Sequence, residues 1–281
     1  MKDFILTQQE FTDRALRAQE VLAKTDLDAF LVFSTECEPA GVRYFSDYWP
    51  SFETAAVLIP RDGVPALIIG PESLTYASAR TKIRTVIQTM DFRESSQPDY
   101  PGSAHPDWKT IFKRFNVKKL GITGFHMFPY TIMCNIAAAL GGMENIVNAD
   151  AILRPVTMKK SALELECLRK AAKISEQGLK AVLENIKPGM TEVELCGIAT
   201  AAMLANGAEA TGYPVWCCSG PNSDQAISRP SLRKFRPEKS SISVSAQKLR
   251  DTAPVSDARS CWASVLMKSA SSCRSDLMPS I

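Results

Sequence analysis

Histidine is scarce in this 281-residue chain, which contains only His105 and His126. Neither belongs to a cluster of candidate ligands, so we expect both to be surface or loop residues rather than metal ligands. Long hydrophobic runs are also missing, since no stretch approaches the roughly 18 apolar residues of a membrane span. The sequence therefore predicts neither a histidine-based metal centre nor a transmembrane segment.

Glycine is absent from the last part of the chain, because all fourteen glycines lie at or before Gly220. At an ordinary usage of ~7%, about four would be expected in the remainder. Serine instead rises to twelve in the 44 residues from Glu238 onward, without the period of a helix or a strand. Because tight turns between antiparallel strands favour glycine, we expect residues 238–281 to be a non-native or disordered tail.

The net charge is also low, and we expect no leader sequence. The formal net charge of +3 is too small to indicate a nucleic-acid partner. The eight cysteines are scattered without paired metal spacing. The N-terminal apolar run is too short for a signal peptide, which favours reduced thiols and a cytoplasmic location.

Strands and helices alternate through the first half of the chain. We predict helices over residues 11–23, 108–115 and 129–140, and strands over residues 29–33, 54–60, 65–69, 85–88, 119–123 and 145–149. Arg61-Asp62-Gly63 is a strong hairpin turn between two of these strands. The pattern predicts a mixed α/β domain over residues 1–150.

Two capping boxes follow that domain. Ser161-Ala162-Leu163-Glu164 opens a helix with an apolar stripe as far as Val182, which Lys187-Pro188-Gly189 ends. Thr191-Glu192-Val193-Glu194 opens a second helix that runs to about Leu204. An apolar run over residues 213–218 and the turn-rich Ser219-Gly220-Pro221-Asn222-Ser223 come next.

The order of these motifs resembles the pita-bread hydrolases: creatinase, aminopeptidase P and prolidase. The resembling segments are Leu153-Arg154-Pro155-Val156, Lys187-Pro188-Gly189-Met190-Thr191-Glu192 and Ser219-Gly220-Pro221-Asn222, and, in the N-terminal part, Asp28-Ala29-Phe30-Leu31-Val32 and residues 44–49 and 58–67. The resemblance extends from about residue 8 to residue 237. It implies a creatinase-type α/β N-terminal domain followed by an incomplete α+β pita-bread domain over residues 151–237.

The resemblance also implies a hydrolase of C–N bonds that acts on Xaa-Pro peptides or creatine-like substrates. Many members bind two divalent metal ions through two Asp, one His and two Glu, all located after the Ser-Gly turn. Here no histidine follows Gly220, and the aspartates there show no recognisable ligand spacing, so we expect no metal site, no cofactor and no catalytic set. These aspartates are Asp224, Asp251, Asp257 and Asp276. The chain is therefore expected to be catalytically incomplete.

Three residues, Tyr213, Trp216 and Asn222, are candidates for the wall of a substrate pocket, with packing as the alternative role. Cys217-Cys218 is either a nucleophile pair or, lacking a nearby histidine base, two buried strand cysteines. Gly141-Gly142 is a helix terminator rather than a phosphate loop, because no GxGxxG spacing accompanies it.

A frameshift near Pro237 followed by early termination would explain the tail. Codons can be chosen for residues 238–263 such that the neighbouring frame encodes hydrophobic runs and glycine turns. The family implies dimerisation through the N-terminal domain, so we expect a homodimer or association with an intact relative, without nucleic-acid or membrane partners. A non-catalytic dimerisation or binding protein is the alternative function.

Overall fold

The computed structural model describes residues 6–94, 96, 98–101, 104–212, 214–225, 228–236, 242–244 and 263–265. The described residues up to Ser161 form one compact unit, and those from Ala162 onward form a second. Within the described ranges, no helix combines the length and the apolar character required to cross a lipid bilayer.

The first unit is built on a six-stranded mixed sheet. Its elements are α1 (Gln8–Leu22), β1 (Ala29–Ser34), α2 (Ala40–Ser46), β2 (Ala55–Pro60), β3 (Ala66–Ile69), α3 (Leu74–Arg80), β4 (Thr85–Gln88), α4 (Trp108–Arg114), β5 (Leu120–Thr123), α5 (Tyr130–Leu140), β6 (Ile146–Asn148) and α6 (Asp150–Met158). The strand order is β4-β3-β2-β1-β5-β6. β2 is antiparallel to both of its neighbours, whereas the β3–β4, β1–β5 and β5–β6 pairs are parallel.

Side chains of the central strand β1 alternate between two hydrophobic cores, as the two-residue period of a strand requires. Phe30 and Val32 join a core that includes residues of α1, α2 and α6. Leu31 and Phe33 join the opposite core, together with residues of α4 and α5. The continuous apolar run of β1 therefore reflects a strand covered on both faces, as the sequence predicts.

Helix α6 belongs to the first unit, whereas the sequence predicts a domain that ends at residue 150. Leu153 and Val156 are buried in the first core, and the Tyr44 hydroxyl donates a hydrogen bond to the Val156 carbonyl over 3.3 Å. The division after Ser161 follows from this packing. Pro155 lies inside the helix, and a proline in that position weakens any helix prediction from sequence.

The second unit contains two helices that pack against each other and a small sheet. Its elements are α7 (Ala162–Asn185), α8 (Glu192–Ala205), β7 (Cys218–Ser219), β8 (Ile242–Val244) and β9 (Ala263–Val265), and the strand order is β7-β8-β9 with antiparallel pairing. Strands β8 and β9 lie beyond residue 237, where we expected a non-native or disordered tail. The remainder of that segment lies outside the described residues.

The start of α8 confirms the predicted capping box. The Thr191 hydroxyl accepts a hydrogen bond from the Glu194 amide at 3.2 Å, and the Glu194 carboxylate accepts one from the Thr191 amide at 2.6 Å. At Ser161, the described side-chain bond is different: its hydroxyl donates to the Glu10 carboxylate at 2.9 Å.

Candidate functional site

A buried carboxylate contacts the segment in which the sequence predicts the wall of a pocket. Glu192 is the first residue of α8 and is completely buried. One carboxylate oxygen accepts hydrogen bonds from the amide and hydroxyl of Ser219, at 2.6 and 2.9 Å. The other accepts from the Asn222 side-chain amide at 2.9 Å and from the amide and hydroxyl of Ser231, at 2.9 and 2.8 Å. Glu192 thus has five hydrogen-bond donors, which we call the Glu192 cluster.

Electrostatics keep this carboxylate charged. Burial by itself raises the pKa of Glu192, but the hydrogen bonds from Asn222, Ser231 and Ser219 outweigh burial and leave the pKa below its ordinary value. The N-terminal end of α8 also favours a negative charge at this position. Glu192 is therefore an anion at neutral pH.

The Glu192 cluster joins three segments of the chain. It binds the start of α8 to the turn at residues 219–222 and to Ser231. Backbone hydrogen bonds continue the attachment, since the Glu192 amide donates to the Arg233 carbonyl at 3.1 Å and the Phe235 amide to the Met190 carbonyl at 2.6 Å. Five donors occupy the acceptor positions of one carboxylate. The geometry consequently assigns Glu192 an anchoring role. Its carboxylate oxygens have few free acceptor positions left for a substrate or a metal ion.

The three predicted pocket residues have different outcomes. Asn222 is part of the Glu192 cluster and also donates to the Ser231 hydroxyl at 3.2 Å. Trp216 is half-buried between the buried residues Val215 and Cys217. Tyr213 lies outside the described residues. The structure therefore gives Asn222 a hydrogen-bonding role, and its place in the wall of a substrate pocket stays a prediction.

Sequence reasoning missed Glu192, Ser219 and Ser231. Glu192 looked like an ordinary acidic residue of a helix start, and its partners are 27, 30 and 39 residues further along the chain. No local period connects residues at such separations. Two signals are present in the sequence: an acidic residue beside the capping threonine, which is exposed in many helices, and the place of Glu192 and Ser219 in segments that carry the family resemblance.

A thiol group next to the cluster is similarly bound into the fold. The Cys196 thiol donates to the Val215 carbonyl at 3.1 Å and accepts from the Cys217 amide at 3.1 Å. The hydrogen bond with Cys196, together with burial, raises the pKa of the Cys217 thiol. Burial raises the pKa of Cys218 as well. Since the thiolate is the nucleophilic form, these two neutral thiols match the buried-strand alternative.

Metal-binding geometry is not found among the residues that the structure describes, where no group of three or more His, Cys, Asp or Glu is suitably placed. His105 and His126 both belong to the first unit. Asp224 is exposed at the end of the 3₁₀ helix Gly220–Asp224. Asp251, Asp257 and Asp276 lie outside the described residues.

The glycine pair that follows α5 ends a helix, as predicted. Gly141 caps α5 in the left-handed region with φ of 88°. Its amide follows a helix C-terminus, where carbonyl groups rather than amides are unpaired. This arrangement does not form a phosphate loop.

Comparison with known families supports the assignment of both units. The Creatinase/Prolidase N-terminal domain family matches residues 14–158, slightly more than half of the chain. Metallopeptidase family M24 matches residues 166–250. The second match thus extends beyond residue 237, where the sequence-based tail begins.

Individual relatives agree with these matches. Creatinase from Bacillus sp. (strain B-0618) is 26% identical over 250 residues, covering 82% of this chain and 55% of that protein. The chain therefore spans little more than half the length of this relative.

Solved structures show the same fold. The X-Pro aminopeptidase from Thermotoga maritima MSB8 superposes with a TM-score of 0.67 at 21% identity, covering 83% of this chain and 61% of the other. Aminopeptidase P from E. coli, solved with the inhibitor Pro-Leu, gives 0.62 at 14% identity, covering 86% and 59%. The predicted fold class, a creatinase-type N-terminal domain followed by part of a pita-bread domain, is confirmed. The chain belongs to the creatinase/prolidase family.

Proposed function

We propose that this chain supplies the N-terminal domain and the opening segment of a C–N bond hydrolase, acting on Xaa-Pro peptides or creatine-like substrates, and that the chain by itself is catalytically incomplete. The observation that carries the first part is the succession of two family matches in their expected order, at residues 14–158 and 166–250. Creatinase from Bacillus sp. and the X-Pro aminopeptidase fold support the two substrate classes.

The possible metal ligands of the second unit support the proposal that the chain is catalytically incomplete. A two-metal centre needs several carboxylates and a histidine with open coordination positions. In the described second unit, the carboxylate of Glu192 is occupied by five hydrogen-bond donors, and the Cys196 thiol is engaged by Val215 and Cys217. The residues present do not fit the metal pair, and we derive no catalytic step through it.

Activity assays test the proposal directly. The full chain is incubated with Xaa-Pro dipeptides and with creatine, with added Mn²⁺ in one series and with EDTA in another. We expect no release of proline or urea above the protein-free blank in either series. Turnover that requires Mn²⁺ and is abolished by EDTA would contradict the proposed incompleteness while supporting the family-level function.

We also propose that the segment after Pro237 results from a frameshift. The absence of glycine after Gly220 and the rise in serine support this origin, while the M24 match as far as residue 250 is the observation against it. The nucleotide sequence from codon 230 to beyond the stop decides it. A shifted frame that continues into glycine-rich, strand-patterned sequence is expected, and the lack of such a frame would rule out the frameshift.

The oligomeric state is a further proposal. Family membership favours a cytoplasmic homodimer formed through the N-terminal domain, or association with an intact relative. Sedimentation velocity of the full chain over a range of concentrations is expected to show a dimer. A monomer at every concentration would exclude the homodimer.

A further inference from the structure

A groove in the first unit has no role in the function proposed above. It has a volume of about 360 Å³ and lies between α1, the β2–β3 hairpin and the residues that lead into β4. This volume is within the range of small-molecule sites, roughly 300–1,000 Å³. The groove belongs to the N-terminal unit alone, so its occupancy does not depend on the catalytic state of the chain.

Hydrogen bonds fix both ends of the groove. At one end, the Gln8 side-chain amide donates to the Lys82 carbonyl at 3.0 Å. At the other end, the Gln19 side-chain amide donates to the carbonyls of Pro60 and Gly63, both at 2.9 Å. Gln8 and Gln19 are separated by three turns of α1, which places the two ends about 16 Å apart. The groove is therefore elongated and held open by the fold.

The interior of the groove is apolar. Phe11, Phe45 and Ile83 are buried lining residues. The rim carries two aliphatic side chains that are unusually accessible, Leu16 at 51% and Val64 at 69% exposure. An apolar ligand of matching length would remove both of these side chains from water.

The charged side chains that line the groove are all cationic. Lys82 and Arg84 are its ionised lining residues, and none of the lining side chains, all of them described, is acidic. No ion pair among the described residues engages either cation. Arginine and lysine bind carboxylates through short, charge-assisted hydrogen bonds. An anionic head group complements this pair, whereas a cationic ligand would be repelled.

We propose that this groove binds an elongated apolar molecule with one carboxylate, of the kind represented by a medium-chain fatty acid. The carboxylate pairs with Lys82 and Arg84, and the apolar chain lies along Phe11 and between Leu16 and Val64. The groove has an apolar floor and two cations, and no acidic residue is among its described lining residues. These features favour an anionic amphiphile over a neutral lipid.

Calorimetric titration of the full chain with decanoate tests this site, with decanol as the neutral probe. Decanoate is expected to bind, and decanol to bind about tenfold more weakly because it cannot form the charge-assisted hydrogen bonds. Arg84→Gln and Lys82→Gln should each weaken decanoate binding by about tenfold and leave decanol binding unchanged. Lys109→Gln, an exposed cation on α4 remote from the lining residues, is the matched control and should have no effect.

Leu16→Glu provides a second, independent variant. Its position is half exposed, so the fold should tolerate the change, while the new carboxylate should abolish decanoate binding. Equal affinity for decanoate and decanol, or an equal loss in Lys109→Gln, would overturn the proposal. A dimer that Leu16→Glu dissociates, without decanoate binding by the original chain, would instead assign the groove to a second copy and would equally overturn it.

Discussion

The two units of this chain are stabilised in different ways. The first covers both faces of a six-stranded sheet with helices, so that its central strand β1 is completely buried. The second has one smaller core, which includes residues of α7 and α8, and several large apolar side chains of these helices are partly exposed. They are Leu165, Leu168, Val193 and Leu204. The first unit therefore depends mainly on its two large hydrophobic cores, and the second, with one smaller core, depends more heavily on specific polar anchors.

This difference has a consequence for behaviour in solution. Exposed apolar faces favour association and aggregation. We expect the second unit to lose protection from hydrogen exchange first on heating, and the isolated chain to be poorly soluble. A single sharp melt with both units exchanging together would contradict that expectation.

The largest effect is expected from a buried cation in the first unit. Arg14 is completely buried, contacts the Glu10 carboxylate at 3.1 Å and donates to the Tyr44 carbonyl at 2.8 Å. Its guanidinium also lies over the Tyr44 ring at 4.3 Å. Arg14→Ala leaves the Glu10 carboxylate without this partner and should lower the free energy of unfolding by about 4 kcal/mol.

Hydrogen exchange resolved by peptide should show the loss in the first unit. Glu20→Ala, an exposed substitution on the same helix, is the control and should change stability by less than about 0.5 kcal/mol. Equal effects of the two substitutions would show that the buried arginine does not stabilise the sheet-covering helix.

The corresponding substitution in the second unit is Glu192→Gln. It keeps the size of the side chain but replaces an acceptor oxygen with an amide donor that faces existing donors. Protection of α8 and of residues 218–231 should fall by about 3 kcal/mol. Glu194→Gln is the matched control, because glutamine is also accepted in a capping box, and it should cost less than about 1 kcal/mol. A similar loss in both variants would mean that Glu192 is an ordinary helix-start residue.

Some elements of this fold can be predicted from local sequence signals, whereas the Glu192 contacts cannot. The strands β1, β2 and β3 follow from apolar runs and from the Asp62-Gly63 turn, since these are local signals. Helices α2 and α3 are not predicted because neither has a capping side chain at its start, whereas the equally short α4 begins after the capping Asp107. Glu192 could not be placed because its partners are remote in sequence, and the interaction exists only once α8 and the turn at residues 219–222 have packed.

The Glu192 cluster predicts a pH dependence confined to the second unit. The pKa of Glu192 is lowered in the folded state, so its stabilisation is complete above the ordinary value of 4.5 and is lost as the pH falls below it. The loss should be smaller than that caused by Glu192→Gln, since a protonated carboxyl retains an acceptor oxygen. Exchange protection between pH 6 and pH 3 should decline more steeply in the original chain than in Glu192→Gln. Parallel declines would assign the acid sensitivity of the second unit to another carboxylate, such as Glu194, whose pKa is also lowered by its hydrogen bonds with Thr191.

The smallest effect concerns the contact between α7 and α8. A Cβ atom at Gly178 would lie 2.8 Å from the Met203 Cγ atom, whereas a Cβ atom at Gly197 meets nothing within 4 Å. Gly178→Val should therefore separate the helices and destabilise the second unit by about 1–2 kcal/mol. Gly197→Ala should stabilise it by up to about 1 kcal/mol, because alanine has the higher helix propensity. Opposite signs in chemical denaturation would establish that α7 and α8 form a closely packed pair, while two stabilising changes would show that the helices have room to adjust.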